Sequence, residues 1–190
     1  LQGVDLLEEK ILALSTELGE LANEWRGFKF WSEDQEPRTE HYCELCEGSK
    51  VISAVTDTGS VGETYEVWDV YEVDIECPLC EGRDKDNPLL EEYVDCFHFI
   101  LSIGNYLDCN DQKPYFIAVK EPIKMFSEVN FNINKISIDN DNLNFKRFYY
   151  AELFSRFFGL GKSLGLTWEQ IEQAYYEKNK INHERQINNY

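Results

Sequence analysis

The sequence lacks any run of 18 or more apolar residues, which excludes a membrane-spanning helix. It also lacks a basic stretch followed by an apolar one at its start, so no secretory leader is read and a cytoplasmic location is expected. The chain begins at Leu1 rather than at a methionine, as expected of a sequence from which a natural N-terminal segment is missing. Positive charge is scarce. Lys and Arg number 18 against 36 Asp and Glu, a formal net charge of -18, which repels phosphodiester backbones and anionic lipid surfaces. Neither nucleic acid nor membrane is therefore an expected partner. A small anion such as a nucleotide can still bind if metal cations bridge it to carboxylates. Low-complexity tracts and internal repeats are absent too, apart from one pair of cysteine knuckles. Apolar residues make up 43% of the 190 positions and aromatics 14%, enough for one main domain with a core and a small appended module.

From Asp5 to Trp25 the residues Ile11, Leu14, Leu18, Leu21 and Trp25 recur at three- and four-residue steps, which predicts an amphipathic helix. Residues 33–87 are rich in Gly, Thr, Ser and acids, and 64–76 alternate like a strand, which predicts a small β module. Pro88 opens a second predicted helix, to about Leu107, apolar nearly all round from Tyr93 and hence expected to be buried. Residues 108–148 show no clear period and are expected to be loops with short helical pieces. A helix is predicted over 148–164, and a capping box of Thr167 and Gln170 predicts another from Trp168 to about Gln186. The string Gly159-Leu-Gly-Lys-Ser163 is too short for a phosphate-binding loop and follows a helix rather than a strand. The fold class expected is mainly α, a helical core of 1–32 and 88–190 interrupted by a β-rich insertion over 33–87.

Glu17, Glu20 and Glu24 line one edge of the first helix, about a quarter turn from its apolar stripe. Alone they read as a solvated face. On the second helix, however, Asp95 is the sole acid from Tyr93 to Leu107, on a face continued by Phe99, Ile103 and Tyr106. A carboxylate there has a large desolvation cost unless it is paired or holds a metal. Packed side by side, Glu17 with Glu20 and Glu92 with Asp95 would cluster four hard oxygen ligands suited to Mg²⁺ or Mn²⁺. A di-iron bundle would need Glu-x-x-His on two helices, and only Asp95-x-x-His98 approximates one. His98 is expected to be a hydrogen-bonded core histidine, and Cys96 and Cys109 buried thiols.

Cys43-Glu-Leu-Cys46-Glu-Gly and Cys77-Pro-Leu-Cys80-Glu-Gly are two similar knuckles thirty residues apart. Four thiolates in C-x-x-C pairs, each followed by a glycine that permits a tight turn, match a structural tetrahedral Zn²⁺ site of zinc-ribbon type.

The string ALSTELGELANEWRGFKFWS (13–32), followed by EEYVDCFHFILSIGN (91–105), resembles the E-x-x-E and E-x-x-D signature of the dimeric dUTPases, which group with the MazG-like all-α nucleoside triphosphate pyrophosphohydrolases. YYEKNKINHERQINNY (175–190) resembles the phosphate-binding helix of that family. The resemblance implies that Glu17, Glu20, Glu92 and Asp95 bind Mg²⁺, and that Glu20 also activates the attacking water, with Glu17 beside it in catalysis. It places Lys178, Asn182 and Arg185 on phosphate oxygens, and their i, i+4, i+7 spacing independently puts them on one helix face. Lys29 and Trp31 match nucleotide-proximal positions, Trp31 either packing by the base or serving as a core tryptophan. The activity implied is Mg²⁺-dependent hydrolysis of dUTP to dUMP and pyrophosphate, with dUDP a further substrate and a homodimer as the assembly. Within the same class the alternative is a pyrophosphohydrolase for dCTP or a damaged nucleotide. The rival class, a zinc-ribbon nucleic-acid binder, is opposed by 19 acids against 4 bases between Glu33 and Asp95.

Overall fold

The apolar stripe of the N-terminal segment becomes α1, Leu7–Trp25, in the computed structural model, which describes residues 5–57, 70–79, 87–138 and 142–187, the side chains of 55–57, 70–72 and 184–187 excepted. Leu7, Ile11, Leu14, Leu18 and Leu21 are all buried on one side of this helix. It ends at Arg26, whose backbone is left-handed with φ 63. The buried guanidinium of Arg26 donates to the Asp34 carbonyl at 2.8 and 3.1 Å and pairs with the Asp34 carboxylate at 3.0 Å, which fixes the loop that follows.

Helix α2, Pro88–Tyr106, starts on the proline that the sequence offered as a first-turn residue. It buries Leu89, Tyr93, Val94, Cys96, Phe97, Ile100, Ile103 and Gly104, as its apolar circumference requires. Tyr93 stacks on Phe157 at 4.3 Å and donates its hydroxyl to the Phe157 carbonyl at 3.0 Å.

Two further helices correct the expectation of loops over 108–148. Helix α3 runs Pro122–Ser137 and α4 runs Leu143–Ser163. The stripe of α3 is Met125, Val129, Asn132, Ile133 and Ile136, all buried. Its period is masked in sequence by Asn130, Asn132 and Asn134, poor helix formers that compete for backbone hydrogen bonds. Here Asn132 and Asn134 spend that capacity inside the helix, each donating to the carbonyl four residues back. Helix α4 begins five residues before the predicted start, at an Asn142 cap that accepts from the amides of Asn144 and Phe145. Helix α5, Trp168–Ile187, opens on the expected capping box: the Gln170 amide donates to Thr167 Oγ1 at 3.3 Å, and the Thr167 amide to Gln170 Oε1 at 3.0 Å.

Helices α1 and α2 pack together, as do α3 and α4; α1 also packs on α3 and α2 on α4, which closes a four-helix bundle, and α5 lies along α2. The Gly-Leu-Gly-Lys-Ser string is helical and lies within α4. Its Gly161 is required by packing, because a Cβ there would sit 2.6 Å from the Tyr93 hydroxyl.

The described residues divide into two compact units, 1–38 with 88–190 and, separately, 39–87. The second contains an antiparallel pair, β1 (Val51–Asp57) and β2 (Val70–Glu76), with Val51 opposite Glu76 and Asp57 opposite Val70. The strand predicted over 64–76 is thus formed from residue 70, and 64–69 lie outside the described residues.

Candidate active site

Packing of α1 on α2 brings together acids that are 75 or more residues apart in sequence. Glu17, Glu92 and Asp95, all half-buried, each present a carboxylate oxygen within 4.8 Å of the others. Oε2 of Glu92 is buried and has no hydrogen-bond partner among the described residues. Burial, followed by the charges of Glu20, Asp95, Glu17 and Glu91, pushes the Glu92 carboxyl up to about 7. Burial and then the charges of Asp95 and Glu20 raise Glu17 as well, against an opposing pull from Lys178. Three crowded carboxylates, one with an orphaned oxygen, form a donor set that a hard divalent cation would satisfy. Glu20 is exposed and stands outside the close triad, but its charge is the largest charge effect on Glu92.

Helix α5 contributes Lys178, whose Nζ lies 2.9 Å from Asp95 Oδ2 and 3.1 Å from Glu91 Oε1. Burial works against its charge, yet the hydrogen bonds to Asp95 and Glu91 outweigh it and hold the ammonium above its ordinary range. Sequence reasoning placed Lys178 on phosphate and did not single out Glu91. No pattern within α2 marks Glu91; only the packing of α5 on α2 does. Asn182, one turn further along α5, is half-buried. The backbone of Arg185 belongs to α5, but its side chain lies outside the described residues.

His98, one turn beyond Asp95, is half-buried and stacks on Tyr175 at 4.5 Å. The hydrogen-bonded core histidine of the sequence reading is corrected at one atom, since Nε2 is buried without a hydrogen-bond partner among the described residues. Burial lowers its pKa, in line with a neutral imidazole packed on an aromatic ring. Cys96 is fully buried as expected, whereas Cys109 is only half-buried, because it lies in the turn after α2 rather than on the core face of the helix.

After α1, Trp31 is 65% exposed and meets Phe28 and Phe30 edge-on, so it is not a core residue. Lys29 lies over the Phe28 ring at 5.8 Å. A separate cleft of about 270 Å³ between α1 and α3 is lined by Leu18, Gly19, Ala22, Trp25, Phe28 and Phe126 among others. None of its described lining residues is titratable.

In the second unit Cys43, Cys46 and Cys77 also bring their sulfurs within 4.8 Å of one another, a cluster that could bind zinc. Cys80, the fourth cysteine of the two knuckles, lies outside the described residues.

A protein-family model described as dUTPase matches residues 1–49 and 81–190, which includes every acid of the cluster and the whole of α5. No curated protein and no solved structure matches the chain.

Proposed function

The chain belongs to the dUTPase family, and from that premise we propose that the cluster of Glu17, Glu20, Glu92 and Asp95 is the site at which dUTP is hydrolysed to dUMP and pyrophosphate. The observation that carries this reading is the convergence of Glu17, Glu92 and Asp95 within 4.8 Å, with an oxygen of Glu92 buried and unpaired. Those four acids would hold Mg²⁺, for which Mn²⁺ can substitute. When bound, the metal would offset the triphosphate charge and make a nearby water more acidic.

The remaining steps are assigned to groups of this chain. Glu20, exposed at the rim of the triad, accepts the proton of the water whose oxygen attacks the α-phosphorus. That P–O bond forms as the bond to the β,γ-pyrophosphate breaks, and the leaving group departs as the anion. Lys178 neutralises Asp95 and Glu91 in the nucleotide-free arrangement, and it turns to the phosphate oxygens when substrate arrives. Asn182 and Arg185, on the same face of α5, complete the anion site, where fixed positive charge stabilises the developing pyrophosphate. Lys29 and Trp31 flank the nucleotide, and the exposure of Trp31 leaves its indole free to pack by a base.

The same reading includes hydrolysis of dUDP and assembly as a homodimer. Exposed aromatic residues on α3 and α4, Phe131 at 54% and Phe148 at 58%, support an interface between copies. The deciding experiment is pyrophosphate release across dUTP, dCTP, dTTP and oxidised nucleotides, with Mg²⁺ and with chelator. Metal-dependent preference for dUTP is expected. Preference for dCTP or a damaged base would reassign the substrate, and no release from any nucleotide would overturn the reading. Light scattering during gel filtration checks the dimer.

A further inference from the structure

The catalytic reading leaves the 39–87 unit unused, and the family match stops at 49 and resumes at 81, so β1, β2 and Cys77 fall outside it. Few of the described residues of this unit are buried. Its only buried residues among those described are Cys46 and Cys77, while Leu45, Val51, Val73, Ile75 and Leu79 are between 37% and 60% exposed. Apolar burial by these described residues offsets little of the entropy of ordering their backbone.

What is buried is sulfur. Sγ of Cys43 and Sγ of Cys77 are 3.7 Å apart, and neither residue is in a disulfide. That separation is far beyond an S–S bond of roughly 2.0 Å. It is the edge of a zinc tetrahedron: two thiolates about 2.3 Å from one metal, at the tetrahedral angle, are about 3.8 Å apart. The backbone is shaped to present them. The Glu47 amide donates to the Cys43 carbonyl at 2.7 Å and the Ser49 amide to the Cys46 carbonyl at 2.9 Å. Glu47 and Gly48 then turn the chain back through φ 49 and φ 89, a conformation for which glycine is the natural residue. The Cys77 amide donates to the Lys50 carbonyl at 2.8 Å, which seats the second knuckle against the end of the first.

We propose that Cys43, Cys46 and Cys77 hold one structural Zn²⁺, and that this metal ties the chain before β1 to the chain after β2. On binding, the thiols ionise and their protons go to solvent, so the metal adds folding free energy to the unit. The role is architectural.

The test uses the full chain purified without chelator. Elemental analysis is expected to give one zinc per chain, and exchange with Co²⁺ is expected to give the intense visible absorption of a tetrahedral thiolate site. Cys43→Ser and Cys77→Ser should each lose the metal and become cleavable by protease within 39–87, while Cys96→Ser and Cys109→Ser keep it. Absence of zinc together with absence of the cobalt spectrum would overturn the proposal, as would full retention of zinc by both knuckle variants. Mg²⁺-dependent pyrophosphate release measured on the same samples separates this outcome from the fate of the catalytic reading, which does not depend on it.

Discussion

Glu92 shows what burial among other acids does to a single carboxyl. Its carboxyl is raised from 4.5 to about 7, first by burial and then by the surrounding acids. Between those two values the folded, metal-free chain binds a proton that the unfolded chain has already released. Raising the pH through that window therefore removes stability, and the loss is complete above about 7. In chelator, the melting temperature of the parent is expected to fall from pH 5 to pH 8 more than that of Glu92→Gln, which cannot titrate. Superimposable profiles would show that Glu92 does not carry the strain. Lys178 permits a second prediction at this scale. Lys178 pairs with Asp95 and Glu91, but it stands on α5, which lies outside the four-helix bundle, so Lys178→Ala should leave the helical signal intact. It should lower turnover of dUTP at least tenfold, a loss of about 1.36 kcal/mol or more of transition-state stabilisation. Unchanged kinetics would return α5 to the role of a solvated surface helix. Sequence pattern identified both residues, but it could not show that Lys178 rests on an acid, since that contact spans 83 positions.

At the scale of elements, legibility followed local signals more than the contrast between the two faces of each helix. Helices α1, α2 and α5 announced themselves by a clean stripe, a proline at the start, or a capping box. Helix α3 was missed although it too starts on a proline and carries Met125, Val129, Ile133 and Ile136 at helical spacing; Asn132 on that stripe and Ile123 and Phe131 on the exposed face blur it. Its packing on α1 and α4 buries the apolar stripe together with Asn132. The capping box of α5 is testable on its own. Thr167→Ala removes the acceptor of the Gln170 amide and should cost about 1 kcal/mol, read as a lower denaturant midpoint with an unchanged slope. Gly161→Ala tests the contact between α2 and α4, because its methyl would meet the Tyr93 hydroxyl at 2.6 Å and the ring at 2.7 and 3.0 Å. Overpacking of this kind typically costs about 1–3 kcal/mol. If Gly161→Ala melts with the parent, the helices are less tightly apposed than the geometry requires.

Over the whole molecule the notable feature is that the two acidic helices are joined by a long excursion yet end beside one another. The Arg38 amide donates to the Glu24 carbonyl at 2.9 Å, the Arg38 guanidinium pairs with the Glu24 carboxylate at 3.2 Å, and the Leu89 amide donates to the Arg38 carbonyl at 3.1 Å. The chain thus leaves the helical unit at Arg38 and re-enters it at Pro88 within a single hydrogen bond of its exit. Loop closure at that point is already made by the core itself, so the 39–87 unit is not needed to bring Glu17 to Glu92 and Asp95. Replacing 39–87 by a flexible linker of about four residues, a length ordinary for helix connections, is expected to give a chain that keeps its helical signal and its Mg²⁺-dependent release of pyrophosphate from dUTP. It should bind no zinc. Retained helicity with lost activity would mean that the inserted unit contributes to the site, and loss of helicity would mean that the bundle depends on it to fold. The expected outcome would instead make α1 to α5 self-sufficient for that activity, with the 39–87 unit a separable addition on the loop between the two acidic helices.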